Sequence, residues 1–129
     1  LENWLKKKNF DLCFGSYENI NDDYERIITI DNRMKKENQI YTLLHECGHL
    51  IVNNNKKYTE NFPYMTRESK RGFKNKKNEN CYKFKVEQII EELDAWRAGK
   101  NLAKKLKITL NESNFHSIMI KKLNTYVVN

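Results

Sequence analysis

Proline, glycine and long apolar runs are all scarce in this sequence, and each scarcity excludes a class of structure. With one Pro and four Gly in 129 residues, the chain lacks the turn residues on which a many-stranded barrel or sandwich depends, so a helix-rich domain is favoured. No apolar run approaches the roughly 18 to 20 residues that a membrane-spanning helix needs, and no membrane partner is expected. The length suits one hydrophobic core rather than two. We therefore expect a single domain over residues 1–129.

Cysteine is also scarce, and its spacing indicates neither a thiolate metal site nor a disulfide framework. Cys13, Cys47 and Cys81 are odd in number and far apart, and they lack the C-x-x-C spacing of a thiolate zinc site. The segment that begins at Leu1 has neither the charged nor the apolar region of a signal peptide. From both features we expect reduced thiols and an intracellular (cytoplasmic) protein.

Positive charge is plentiful. The net charge is +7 and the pI is near 9.3, which allows attraction to nucleic acid or to acidic proteins. Lys and Asn are used heavily throughout, as AT-rich coding would produce, so the charge has an explanation that needs no partner. No nucleic-acid-binding motif accompanies it. Nucleic acid therefore stands only as an alternative partner.

Two short strands are predicted near the start, after an N-terminal segment that suits a short amphipathic helix or an extended arm. Leu12 to Phe14 and Arg26 to Asp31 are rich in apolar and β-branched residues, and the segment between them is rich in turn residues. We expect these strands to pair as a hairpin and to form a short antiparallel sheet.

A helix is predicted from Lys36 to Asn53. Its apolar residues recur at intervals of three and four, which is the pattern of a helix that buries one stripe. The Asn-rich segment that follows should end it. The apolar positions are Ile40, Leu43, Leu44, Cys47, Leu50 and Ile51.

Residues 54–81 form a basic insertion or loop without a sustained period. A short strand is predicted near Tyr82 to Val86, where apolar residues alternate. The aromatic residues of the insertion are Tyr58, Phe62, Tyr64 and Phe73, and its basic residues include Arg67, Lys70, Arg71, Lys74, Lys76 and Lys77.

Two further helices are predicted in the C-terminal third. The longer runs from Val86 to Leu106, with good helix formers between its apolar positions. An extended link at Ile108 to Leu110 leads to the last helix, from Glu112 to about Asn124, which Asn111 is placed to cap. Its expected inward positions are Phe115, Ile118, Met119 and Leu123.

The first helix contains the motif H-E-x-x-H. His45 and His49 are four residues apart, so a helix projects both imidazoles from one face, where they can bind one metal ion. A catalytic zinc ion takes three protein ligands and leaves a position for water. Glu46 is offset by about 100° from His45, so we expect it to act as general base on that water rather than as a ligand. The expected cofactor is one catalytic Zn²⁺.

Chance is a poor explanation of this motif. A shuffled sequence of this composition would contain it in only about 0.5% of cases. Gly48, inside the helix, disfavours helix formation by about 1 kcal/mol, which suggests that another backbone approaches closely there. Cys47 points away from the imidazoles and is expected in the core.

The third ligand should come from the long helix. Glu91 and Glu92 are both available, and each is followed at helical spacing by small residues that could press against the first helix at Gly48. Those small residues are Ala95, Ala98 and Gly99. Periodicity alone does not separate the two carboxylates.

The order of strand, H-E-x-x-H helix and glutamate-bearing helix resembles the gluzincin metallopeptidases, the clan that includes thermolysin and the small ImmA/IrrE-like metallopeptidases. The resemblance covers roughly residues 26–106. In those families the third ligand often starts a Glu-x-x-Ala sequence, and Glu92 to Ala95 match it. The resemblance therefore implies Glu92 as the third metal ligand, and a small zincin-like α+β domain.

The match ends after Ala95. In the family an Asn or Asp commonly follows and orients a ligand histidine, whereas this chain has Trp96. Asp94 or Glu91 could take over that role. The resemblance also implies that the strand from Arg26 to Asp31 borders the cleft and pairs with an extended peptide substrate.

These features predict a zinc-dependent metallopeptidase that acts on a peptide or protein substrate. The alternative is a catalytically weak or inactive peptidase-like module that binds an acidic protein or nucleic acid through its basic surface. A donor to the oxyanion is also needed. The sequence offers four candidates for it, which are His116, Tyr58, Tyr64 and Tyr82.

Overall fold

Four helices and three strands make up the part of the chain that the computed structural model describes, which is residues 1–15, 20–22, 26–56 and 82–127. The chain is α+β and mostly helical. The elements in chain order are α1 (Glu2–Lys7), β1 (Asp11–Gly15), β2 (Ile20–Asp22), β3 (Ile27–Asp31), α2 (Lys36–Asn53), α3 (Tyr82–Lys105) and α4 (Glu112–Val127).

The sheet is mixed, not antiparallel as predicted. Its strand order is β1-β3-β2, with β1 parallel to β3 and β2 antiparallel to β3. The two predicted strands therefore lie side by side, with Leu12 opposite Ile28, but do not form a hairpin. The reason is β2, a three-residue strand within the segment expected to be a turn. It takes the antiparallel place beside β3, which leaves the other edge of β3 for β1.

The central strand β3 anchors the sheet to the core. Ile28 and Ile30 are fully buried, and the alternate residues Ile27, Thr29 and Asp31 are half-buried, as the two-residue period of a strand requires. Their side chains join a cluster that includes Leu44 and Cys47 of α2. The sheet thus supports the side of α2 that faces away from the histidines.

The bounds predicted for α2 are confirmed, and Cys47 is fully buried as expected. The predicted stripe is wrong at two positions, because Ile40 and Ile51 are 41% and 38% exposed. The adjacent residues Tyr41 and Val52 are buried instead, so the buried face of α2 is rotated slightly from the predicted one.

The start of α3 differs from the prediction. Residues 82–86 belong to this helix, so the predicted strand from Tyr82 to Val86 is wrong. The alternation of apolar residues there resembled a strand because a period of two and a helical period cannot be told apart over five residues. The predicted insertion at 54–81 lies outside the described residues from Lys57 onward.

The predicted cap of α4 is confirmed, because Asn111 Oδ1 accepts a hydrogen bond of 3.1 Å from the backbone N–H of Asn114. Phe115 is buried as expected. The helix continues to Val127, three residues past the predicted end at Asn124. Within the described ranges, no helix is long and apolar enough to cross a bilayer.

Small residues let the backbones of α2 and α3 touch, as the glycine in α2 predicted. A Cβ on Gly48 would overlap the carbonyl oxygen of Ala95 and would lie 3.0 Å from the backbone nitrogen of Gly99. A Cβ on Gly99 would overlap the carbonyl oxygen of Leu44 and would lie 3.3 Å from the nitrogen of His45. This contact sets the position of the histidines relative to α3.

Candidate metal centre

The two histidines of the H-E-x-x-H motif lie one turn apart on the face of α2 that meets α3. Their ring centroids are 4.5 Å apart. His45 is buried and His49 is half-buried. The helix therefore brings both imidazoles together, as the spacing predicted.

Glu92 of α3 completes a group of three residues whose side chains can bind a metal ion. Its Oε2 lies 2.9 Å from Nε2 of His45 and 3.2 Å from Nε2 of His49. The three donor atoms all lie within 4.8 Å of one another. Ligands at about 2.0–2.2 Å from a tetrahedral zinc ion are separated by about 3.3 Å. The donor atoms are therefore spaced closely enough to bind one zinc ion with small side-chain adjustments.

The charges of the group also fit a divalent cation. Burial would raise the pKa of Glu92, but its hydrogen bonds to His45 and His49 and their charges hold that pKa well below its usual range. Burial alone would lower the pKa of His49, but Glu91 and Glu92 raise it to about 10. The carboxylates thus favour positive charge at His49, and a bound cation would satisfy the same preference.

Glu46 lies beside this group without belonging to it. Its Oε1 is 3.8 Å from Nδ1 of His45, on the opposite side of that ring from Nε2. Its side chain is largely buried. Glu46 is therefore not among the grouped donor atoms, and its carboxylate lies on the far side of the His45 ring from them.

Glu91 and Trp96 contact the histidines from α3. Oε1 of Glu91 lies 2.9 Å from Nδ1 of His49. The indole of Trp96 stacks on the His45 ring, with centroids 4.2 Å apart and planes 5° apart. Phe115 of α4 meets the indole edge-on at 5.4 Å. The two adjacent carboxylates, which the sequence could not separate, therefore make different contacts.

Tyr126, near the end of α4, is a site residue that the sequence analysis missed. Its hydroxyl lies near enough to Glu92 for that carboxylate to act on its pKa. Burial raises its pKa, and the charges of Glu92, Glu91 and Glu46 raise it further. The helical spacing from Phe115 through 119 and 123 to 126 could have identified it. The predicted helix ended at Asn124, so Tyr126 fell outside it.

Of the four predicted oxyanion donors, only His116 has a side chain within the described part of the chain. His116 lies on an exposed part of α4, outside the group formed by the two histidines and Glu92. Tyr58 and Tyr64 lie outside the described residues, and only the backbone of Tyr82 is described. The described tyrosine that does reach the group is Tyr126.

Comparisons of the chain with protein-family models, with curated proteins and with solved structures found no match.

Proposed function

We propose that this chain is a zinc-dependent metallopeptidase of a minimal gluzincin type, with His45, His49 and Glu92 as metal ligands. The proposal rests mainly on one observation. Where the two helices meet, one carboxylate oxygen of Glu92 lies 2.9 Å from Nε2 of His45 and 3.2 Å from Nε2 of His49. Two histidines and one glutamate are a ligand set of catalytic zinc sites, which keep one position open. A closed structural site would have four protein ligands and no use for Glu46.

The chemistry divides between the metal and the side chains. When bound, zinc would supply Lewis acidity and lower the pKa of a water molecule at its open position to about 7. Glu46 would accept a proton from the attacking water and pass it to the leaving amine. The hydroxyl of Tyr126, which lies near Glu92, is the candidate donor to the negative oxygen that forms on the substrate carbonyl.

The protein's own contribution is to hold these groups in a buried, low-polarity setting. Glu46, Glu91 and Glu92 are largely screened from water, so their charges act strongly on the metal and on each other. The predicted alternative, a binding module that uses the basic insertion, gains no support from the described residues, because the insertion lies outside them from Lys57 onward.

The test is the variant Glu46→Gln, which keeps the size of the side chain and removes its basicity. We expect the unmodified chain to contain zinc and to cleave fluorescein-labelled casein. The variant should keep its zinc and lose activity by a factor of about 10²–10⁴, the usual contribution of a general base. Zinc is measured by mass spectrometry of the metal and cleavage by fluorescence release.

Glu2→Gln makes the same change at an exposed position of helix α1. It is the matched control and should cleave casein at the rate of the unmodified chain. Equal turnover by Glu46→Gln and Glu2→Gln would contradict the assigned role of Glu46. Absence of zinc from the unmodified chain would contradict the metal site itself.

A further inference from the structure

The hydrogen bond between Glu91 and His49 determines which ring nitrogen of His49 is available to a metal. Oε1 of Glu91 lies 2.9 Å from Nδ1 of His49. A carboxylate only accepts hydrogen bonds, so Nδ1 must carry the proton that is donated. The other nitrogen, Nε2, then has a free lone pair whenever the ring is neutral. That nitrogen lies 3.2 Å from Oε2 of Glu92, and a proton donated there would have to leave before Nε2 could bind a metal.

His45 has no equivalent partner among the described residues. The carboxylate oxygen paired with its Nδ1 is Oε1 of Glu46, and 3.8 Å is too long for a hydrogen bond. Its ring instead lies flat against the indole of Trp96, at 4.2 Å and 5°. Trp96 is itself only 1% exposed and is held edge-on by Phe115. Apart from Nε2, which lies 2.9 Å from Oε2 of Glu92, His45 is thus held by the face of its ring rather than by Nδ1.

Glu91 and Trp96, which contact the two histidines, each carry a buried polar atom without a hydrogen-bond partner among the described residues. These atoms are Oε2 of Glu91 and Nε1 of Trp96. A buried polar atom without a partner lowers stability, and native structures contain few of them. An apolar residue at 91 or an aliphatic residue at 96 would avoid that cost. Contact with the two imidazoles gives a reason for the residues that are there.

The spacing along α3 makes this arrangement available. Glu91 and Glu92 are consecutive and therefore about 100° apart around the helix, so one can reach Nδ1 of His49 while the other reaches both Nε2 atoms. Trp96 follows Glu92 by one turn, which places the indole over the neighbouring histidine.

We propose that Glu91 and Trp96 are positioning residues for the metal ligands, with Glu91 orienting His49 through Nδ1 and Trp96 orienting His45 through its ring face. The inference rests on the proposed metal site, and it adds the division of labour between the adjacent carboxylates. Glu92 binds the metal and Glu91 does not.

The first experiment compares Glu91→Gln with Glu92→Gln, two isosteric changes at neighbouring positions. The zinc affinity of chelator-treated protein is measured by competition with a zinc indicator. Glu91→Gln should still bind one zinc ion per chain, with an affinity about 10–100-fold weaker, the usual effect of losing an outer partner. Glu92→Gln should bind far more weakly than that. Glu2→Gln serves as the control and should match the unmodified chain.

A nuclear magnetic resonance readout separates positioning from general stability. In the zinc-loaded unmodified chain, long-range proton–nitrogen spectra should show His49 protonated at Nδ1, and that proton signal should shift in Glu91→Gln. The role of Glu91 is contradicted if the variant binds zinc as tightly as the unmodified chain and the signal stays unchanged.

The second experiment follows Trp96 by fluorescence. The chain has two tryptophans, so Trp4→Phe leaves Trp96 as the sole emitter without changing the site. Addition of cobalt(II) should quench this emission and saturate at one equivalent. The matched variant Trp96→Phe retains Trp4 and should be quenched much less. Because Trp96→Phe keeps an aromatic ring, its zinc affinity should stay within a few-fold of that of the unmodified chain. Trp96→Leu should bind zinc about 10-fold more weakly, the usual effect of losing a residue that supports a metal ligand.

If Trp4→Phe binds one equivalent of cobalt(II) and the emission of Trp96 is not quenched, the role of Trp96 is contradicted. This test does not require Trp96→Leu to fold. The failures are distinguishable. If the unmodified chain binds no zinc, the proposed function fails and this inference fails with it. If it binds zinc and these variants behave like the controls, the inference alone fails.

Discussion

The contact between α2 and α3 is much tighter than the contact between α2 and the sheet. On the α3 side, backbone meets backbone, because Gly48 and Gly99 have no side chain to separate the helices. On the sheet side, the isoleucine side chains of β3 fill the space. A side chain can shift or be exchanged more readily than a backbone. The site residues span the tight contact, so we expect changes there to affect zinc binding, whereas changes in the sheet should affect stability alone.

The largest effect is expected from Gly48→Ala. The new Cβ would overlap the carbonyl oxygen of Ala95, so α2 and α3 must move apart. Overpacking of a core typically costs about 1–3 kcal/mol, and the rigid backbone on both sides should place this variant at about 3 kcal/mol or more. The gain of about 1 kcal/mol in helix propensity does not offset that cost. Urea unfolding and zinc titration measure the two consequences.

Gly15→Ala, in β1, is the control for this change. Among the described residues, its Cβ would meet only Cγ2 of Thr29, at 3.1 Å, and a side chain can yield. We expect a loss of less than about 1 kcal/mol and unchanged zinc binding. The comparison between the two contacts fails if both glycine variants lose the same stability.

The next largest effect is expected from Tyr126→Phe, which removes a hydroxyl that lies near Glu92. Loss of one oxyanion donor usually lowers kcat by about 10²–10³. Zinc stoichiometry should remain at one per chain, and the stability loss should be about 1 kcal/mol. Steady-state cleavage assays and zinc analysis together test this expectation.

Tyr41→Phe is the matched control, because the Tyr41 hydroxyl is hydrogen-bonded to Glu37 and Asn111 rather than to a proposed metal ligand. Its hydroxyl donates to Glu37 at 2.6 Å and accepts from the N–H of Asn111 at 3.0 Å. We expect a stability loss of about 1–3 kcal/mol with kcat unchanged. An equal fall in kcat for both tyrosine variants would show that Tyr126 acts only through folding.

The smallest effect is expected from Ile28→Val in the sheet. Ile28 is fully buried, and removal of one buried methylene costs about 0.5–1.5 kcal/mol. Zinc affinity should not change, because the sheet meets α2 opposite the histidines. Ile40→Val, at an exposed position of α2, should be nearly neutral. A drop in zinc affinity for Ile28→Val would show that the sheet and the site are coupled.

Local patterns in the sequence predicted the parts of the structure that depend on neighbours along the chain. The bounds of α2, the cap at Asn111 and the close approach at Gly48 all follow from helical period and backbone chemistry. The sheet did not follow, because pairing of β1 with β3 depends on where the three-residue strand β2 lies. That placement is a property of the fold, and no local pattern encodes it.

Prediction of the site from sequence was limited in the same way. Spacing placed His45 and His49 on one face, but Glu91 and Glu92 are only about 100° apart on their helix and look equivalent in sequence. Their different contacts arise from how α3 crosses α2 at Gly48. Tyr126 was missed for a simpler reason, since a helix end is hard to predict and α4 extends past Asn124.

The central claim, that His45, His49 and Glu92 bind one catalytic zinc ion, is tested most directly by zinc titration of chelator-treated protein. The account predicts one zinc ion per chain for the unmodified protein and for Glu46→Gln, and at least about 100-fold weaker binding for Glu92→Gln. Equal zinc affinity in Glu92→Gln and the unmodified chain would contradict it.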